Sequence, residues 1–160
     1  MAIASIPAIT FTRPANTTAY TAGDVVGSAT SAIHELSSAA SSSSFAFVQS
    51  IQLLINNTTV PSGMAGFRVH LYSASPTAIL DNAAYTFTTS DVAAWQDSFD
   101  LSAPAVRGSM LRSQAYYQGG IIKLQPASSS IFAVIETLGA YTPASGTAYT
   151  LRVKLLEAGF

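Results

Sequence analysis

Chemistry in this chain would have to come from few groups. His34 and His70 are its two imidazoles, and it contains no cysteine. That excludes disulfides, thiolate metal sites and Cys nucleophiles. His34-Glu35 has the composition of an acid/base pair, but neighbours in sequence point to opposite faces of a strand and about 100° apart on a helix. Two histidines without carboxylates at ligand spacing do not make a metal site. Asp81, Asp91, Asp97 and Asp100, with Asn82, lack the every-second-residue pattern and glycine turn of a calcium loop. They read as turn and cap carboxylates.

Gly108-Ser109-Met110 lacks the G-x-S-x-G frame of a nucleophile elbow, and no Lys-bearing glycine loop cradles phosphate. Asn16, Asn56 and Asn57 fit the N-glycosylation sequon, a chance match in a Thr-rich chain without a secretion signal. Trp95, Tyr116, Tyr117 and Tyr141 are the side chains from which a glycan-stacking platform would be built. The competing reading pins Trp95 and a short helix onto a sheet and puts Tyr116-Tyr117 at a strand edge or subunit contact. No catalytic residue, metal ligand or cofactor site is expected.

The elements that would position these groups are β-strands. In 45–55, Phe45, Phe47, Ile51, Leu53 and Ile55 fall on alternate positions, predicting one core-facing phase. Phe67, Val69 and Leu71 alternate with Arg68, His70 and Tyr72. Tyr149, Leu151, Val153 and Leu155 alternate with Thr150, Arg152 and Lys154. Weaker strands are predicted at 98–101, 121–124 and 131–138, and 29–40 reads as loop. Ser90 is expected to cap a helical turn running through Asp91 to Trp95. Short strands with Gly, Pro and Ser turns between them predict an all-β fold, an antiparallel, jelly-roll-like β-sandwich with one or two helical turns.

Composition narrows the partners. Seven Lys or Arg and eight Asp or Glu give a net charge of −1 in 160 residues, with 49% hydrophobic. Ordinary domains carry roughly a quarter charged residues. So small a net charge argues against nucleic acid and anionic membrane as partners, and favours association over repulsion. No apolar run approaches the roughly 18 residues of a spanning helix, and the N-terminus lacks the basic region of a signal peptide. The chain is expected to be made in a cytoplasm as one domain over 11–160, preceded by an apolar arm over 1–10. That arm, from its β-branched residues and lack of charge, suits addition to a neighbour's sheet.

One block is distinctive. Residues 11–27, FTRPANTTAYTAGDVVG, begin with Arg13-Pro14, where proline forces an extended approach. Thr17 to Tyr20 suit a β edge, and Ala22-Gly23-Asp24 suits a turn delivering Val25-Val26 to a core. This block, with Leu80-Asp81-Asn82-Ala83-Ala84-Tyr85-Thr86-Phe87 and Ser90-Asp91-Val92, resembles a pattern of tailed-bacteriophage virion structural proteins, among them head decoration (cement) proteins. The resemblance implies a β-sandwich subunit on the virion, commonly a trimer, that clamps major capsid protein and transfers no catalytic residue. Arg13, Arg68, Arg107, Arg112 and Arg152 are the expected interface anchors, because Arg suits interfacial pairing. Tyr20, Trp95, Tyr116 and Tyr117 complete the expected contact set. The alternative is a receptor- or glycan-binding β-sandwich module of a phage fibre or tail; a hydrolase would need a convergent nucleophile and base.

Overall fold

The computed structural model describes residues 3–37, 39, 41, 44–124 and 128–158, with the side chains of 3, 117–119 and 158 outside that set. Its strands are β1 (Ile3–Ser5), β2 (Ala8–Thr12), β3 (Val25–Val26), β4 (Ile33–Leu36), β5 (Phe45–Ile55) and β6 (Phe67–Tyr72). They continue as β7 (Trp95–Leu101), β8 (Ala105–Arg107), β9 (Met110–Lys123), β10 (Ile131–Thr137) and β11 (Ala148–Ala158). Sheet 1 runs β1-β11-β5-β9-β8, with β2 also on β11; sheet 2 runs β3-β10-β6-β7, with β4 also on β10. All pairings are antiparallel.

The pairings are nested. β2 meets β11, β3 and β4 meet β10, β5 meets β9, and β6 meets β7, alternating between the sheets from outside inward. An eight-stranded wrap of that kind is a jelly roll. The inner faces meet in one core, where Ile51, Leu53, Leu151 and Val153 of sheet 1 face Phe67, Val69, Leu71 and Ile135 of sheet 2. Burying each such side chain is worth about 1.5–3 kcal/mol.

Of the 1–10 stretch, expected as an arm, the described residues lie along the edge of the chain's own sheet, β1 and β2 both pairing with β11. Pro7 lacks an amide proton and splits the strand, while its carbonyl still accepts from the Val153 amide at 3.1 Å. Alternation on β11 is as read from the sequence. On β5 it is half inverted: Ala46 and Val48 are buried, Phe45 is exposed and Phe47 half-buried, whereas Ile51, Leu53 and Ile55 do face the core. The pairing of β5 with β11 skips Gln49, and one extra residue reverses every side chain before it.

On β6 the outward phase is also covered, with His70 and Tyr72 both buried. The 73–94 loop folds over this outer face of sheet 2, packing Ile79, Tyr85 and Ala94 around Tyr72 and Val134. In place of a helix capped by Ser90 there is a 3-10 turn over Thr89–Asp91, capped by Thr88, and Trp95 already begins β7. The 29–40 region contributes β4. Thr17 and Thr18 form no strand; only Tyr20 bridges, to Tyr141.

Candidate functional site

The two blocks of the virion-protein pattern meet inside the molecule. Arg13, only 2% exposed, donates from Nε to the Tyr20 hydroxyl at 3.2 Å and from Nη2 to Asn16 Oδ1 at 3.1 Å. Its Nη1 donates to the carbonyls of Pro14, Asn16 and Ala144. Tyr20 passes the chain on, its hydroxyl donating to Asp81 Oδ1 at 2.6 Å, and the Gly27 amide donates to the same oxygen at 2.8 Å. Asp81 Oδ2 lies 3.7 Å from Arg13 Nη2. Burial, the largest influence, pushes the Tyr20 hydroxyl far above its ordinary range, so it stays a proton donor.

The rest of the pattern is equally structural. Asp24 Oδ2 accepts from the Thr21 amide and hydroxyl, closing the turn in which Gly23 takes φ +94°. Asn82, at φ +63°, donates its amide to the Ala19 carbonyl at 3.1 Å. Arg13 and Tyr20, expected at subunit contacts, therefore lock the 13–20 segment onto the loop that covers sheet 2.

The groups weighed as catalytic are also bound into the scaffold. His34 stacks on Phe11 at 3.8 Å, and its Nε2 lies 3.0 Å from the Val26 carbonyl, so the neutral ring donates there. Its neighbour Glu35 accepts from Ser130 Oγ. His70 stacks on Tyr85 at 3.9 Å and bonds Glu136 Oε2 at 2.9 Å. Burial lowers the basicity of both imidazoles. Asp91 accepts from the amides and hydroxyls of Thr77 and Thr88. Burial opposes ionisation of Asp91, but these donors outweigh it and hold the carboxyl below its usual value. Gly108-Ser109 is a two-residue hairpin turn between β8 and β9, with Gly108 at φ +66°. Among the described residues no three His, Asp or Glu side chains gather as a metal site.

Of the four aromatic side chains considered for a glycan platform, the three that are described do not converge. Tyr141 is buried against Tyr20 at 5.1 Å, Tyr116 is exposed on sheet 1, and the side chain of Tyr117 lies outside the described residues. Trp95 sits edge-on to Phe87 at 5.7 Å, and these two with His70 and Tyr85 line a shallow apolar depression of about 280 Å³. Sequence reasoning missed this set because Tyr85 and Phe87 belong to a loop with no periodicity.

The outward face of sheet 1 carries exposed side chains, among them Tyr116, Ile121, Arg152 and Lys154. Register places Thr10, Thr150, Leu54, Arg112 and Ala105 in one row across it. The next rows hold Arg152, Gln52 and Gln114, then Lys154, Ser50 and Tyr116. Arg107 shares the phase of Ala105 at the hairpin end. Arg68, by contrast, lies on sheet 2 in a two-pronged pair with Asp100 at 2.6 and 3.0 Å.

No protein-family model matches the chain, and neither does any curated protein. Among solved structures it is similar to a chain from the capsid of Ralstonia phage GP4, at 14% identity and TM-score 0.43, covering 98% of this chain and 86% of that one. It is also similar to a chain of honeybee sacbrood virus, at 10% identity and TM-score 0.35, covering 98% and 67%. A Desmodium yellow mottle tymovirus chain matches at 12% identity and TM-score 0.29, covering 98% and 87%. Scores this low assign no function; strand order and pairing define this chain as an antiparallel jelly-roll sandwich.

Proposed function

We propose that this protein is a structural subunit of a bacteriophage virion, a decoration or cement protein that binds the assembled head, commonly as a homotrimer, and catalyses no reaction. The observation that carries the reading is the Arg13–Tyr20–Asp81 network. Residues 11–27 and 80–87, which together resemble phage virion proteins, are tied by it into one element of a jelly roll. The work of such a subunit is thermodynamic: a protein that binds only the assembled shell stabilises the shell by mass action. The low overall charge suits apolar and hydroxyl contacts, to which the outward face of sheet 1 adds arginine and lysine side chains.

The test is co-sedimentation of the purified protein with expanded heads of the phage that encodes it, followed by heating. Saturable binding and heads that open at higher temperature are expected. No binding, with the protein monomeric at high concentration, would remove the cement reading. The depression beside Trp95 supports a second reading, a glycan- or receptor-binding module. A glycan array on which the wild type binds and Trp95→Ala does not would favour it over the first.

A further inference from the structure

Charge is divided between the two halves of the sandwich. Five of the seven Lys and Arg residues, Arg107, Arg112, Lys123, Arg152 and Lys154, lie on the outward phase of sheet 1. No carboxylate shares that phase. Seven of the eight Asp and Glu residues belong to sheet 2, its turns or its covering loop, and Glu157 follows the inward phase of Leu155, accepting from the Ser41 amide. The two remaining cations, Arg13 and Arg68, are ion-paired. Among the described residues none of the five on sheet 1 lies within 4.0 Å of a carboxylate.

Apolar groups share the basic face. Tyr116 is 71% exposed and Ile121 50%, Phe45 stands beside Lys123, and Ile6 borders a depression of about 230 Å³ with Arg152 and Lys154. The opposite sheet has its outer face covered around Tyr72 and Val134 by the chain's own loop, and its exposed Arg68 is paired with Asp100. An exposed aromatic and apolar surface with Arg and without Asp or Glu has the composition of a protein–protein interface.

We propose that the outward face of sheet 1 is the docking face of this subunit, and that its occupant is a carboxylate-bearing protein surface of the shell. This rests on the cement reading above. Charge complementarity names the occupant: five cations on one face, with no carboxylate within 4.0 Å among the described residues, are matched by a surface rich in Asp and Glu. A protein is favoured over nucleic acid because the cations are spread over a sheet with apolar groups between them, not ranged along a groove. The net charge of −1 also provides no long-range attraction for a polyanion.

The experiment compares wild type, the triple variant Arg112→Glu/Arg152→Glu/Lys154→Glu, and the far-side control Thr86→Glu/Ala93→Glu. Each is titrated onto expanded heads at 50 and 300 mM salt, with its fold checked by thermal melting. The triple variant should lose at least about 100-fold in affinity, since opposed like charges are strongly unfavourable, and the control should stay within about threefold. Wild-type binding should weaken with salt. If wild type and triple variant bind equally, this face is wrong while the cement reading stands. If wild type binds no head at all, both fall. A mobility shift of random-sequence duplex DNA by the wild type, lost in the triple variant, would assign the face to nucleic acid and overturn the proposal.

Discussion

Replacing Asp81 by alanine removes the carboxylate that joins the chain's two signature blocks. The Tyr20 hydroxyl and the Gly27 amide lose their acceptor at 2.6 and 2.8 Å, and the Arg13 guanidinium loses its counter-charge at 3.7 Å. The side chains of Arg13 and Asp81 are 0% and 7% exposed, so water cannot readily take over. Removing one partner of a buried pair costs about 3–5 kcal/mol, chiefly because the other charge stays behind uncompensated. At this chain length about 2–4 °C of Tm follows each kcal/mol, so a fall of roughly 6–20 °C is expected. Asp81→Asn keeps an oxygen for Tyr20 and Gly27 and should lose about half as much. The double variant Arg13→Met/Asp81→Leu should recover part of the loss, because replacing both partners with apolar groups removes the stranded charge. Urea and thermal unfolding of the single and double variants give the coupling energy. A loss below about 1 kcal/mol for Asp81→Ala, or additive effects at the two sites, would refute the reasoning.

Three further outcomes are expected. Asp91→Ala deprives Thr77 and Thr88 of their shared acceptor and should cost about 2–4 kcal/mol, with faster hydrogen exchange in 77–91. Its carboxyl is more acidic folded than unfolded, so its contribution is complete above about pH 4 and fades as pH falls through the folded value. Because burial lowers the pKa of His34 and His70, the unfolded chain binds protons first. Stability should be flat above about pH 6.5 and decline below it by at most about 1.4 kcal/mol per pH unit per histidine, with a shallower slope in His34→Gln; equal stability at pH 5 and 7 would contradict this. Gly63 has φ +85°, and a Cβ there would meet the Ala140 carbonyl oxygen at 2.1 Å. Gly63→Ala should therefore cost about 3 kcal/mol or more, while Gly108→Asn, at φ +66° in open space, should stay within about 1 kcal/mol by urea titration.

The parts of the fold legible in the sequence are those governed by short-range alternation. Tyr149 to Leu155 show an uninterrupted period of two, and their burial follows it. Phe45 and Phe47 mislead because the phase is reset by a bulge at Gln49, and a bulge is fixed by pairing with strands distant in sequence. His70 and Tyr72 read as outward, which they are relative to their sheet; the loop that buries them has no period to betray it. The Arg13–Tyr20–Asp81 network shows a similar limit. Tyr20 and Asp81 are 61 residues apart, and only their shared pattern links them before the fold is known. The segregation of charge is half visible: Arg152 and Lys154 alternate with core residues, but that Arg112 lies in the same plane follows only from strand order.

The most direct test of the account is a cryo-electron microscopy reconstruction of expanded heads incubated with saturating protein. It should show jelly-roll sandwiches bound to the shell, with Arg112, Arg152 and Lys154 turned toward capsid protein. Heads with no added density at saturation, or sandwiches docked through the 73–94 loop with sheet 1 facing solvent, would contradict it.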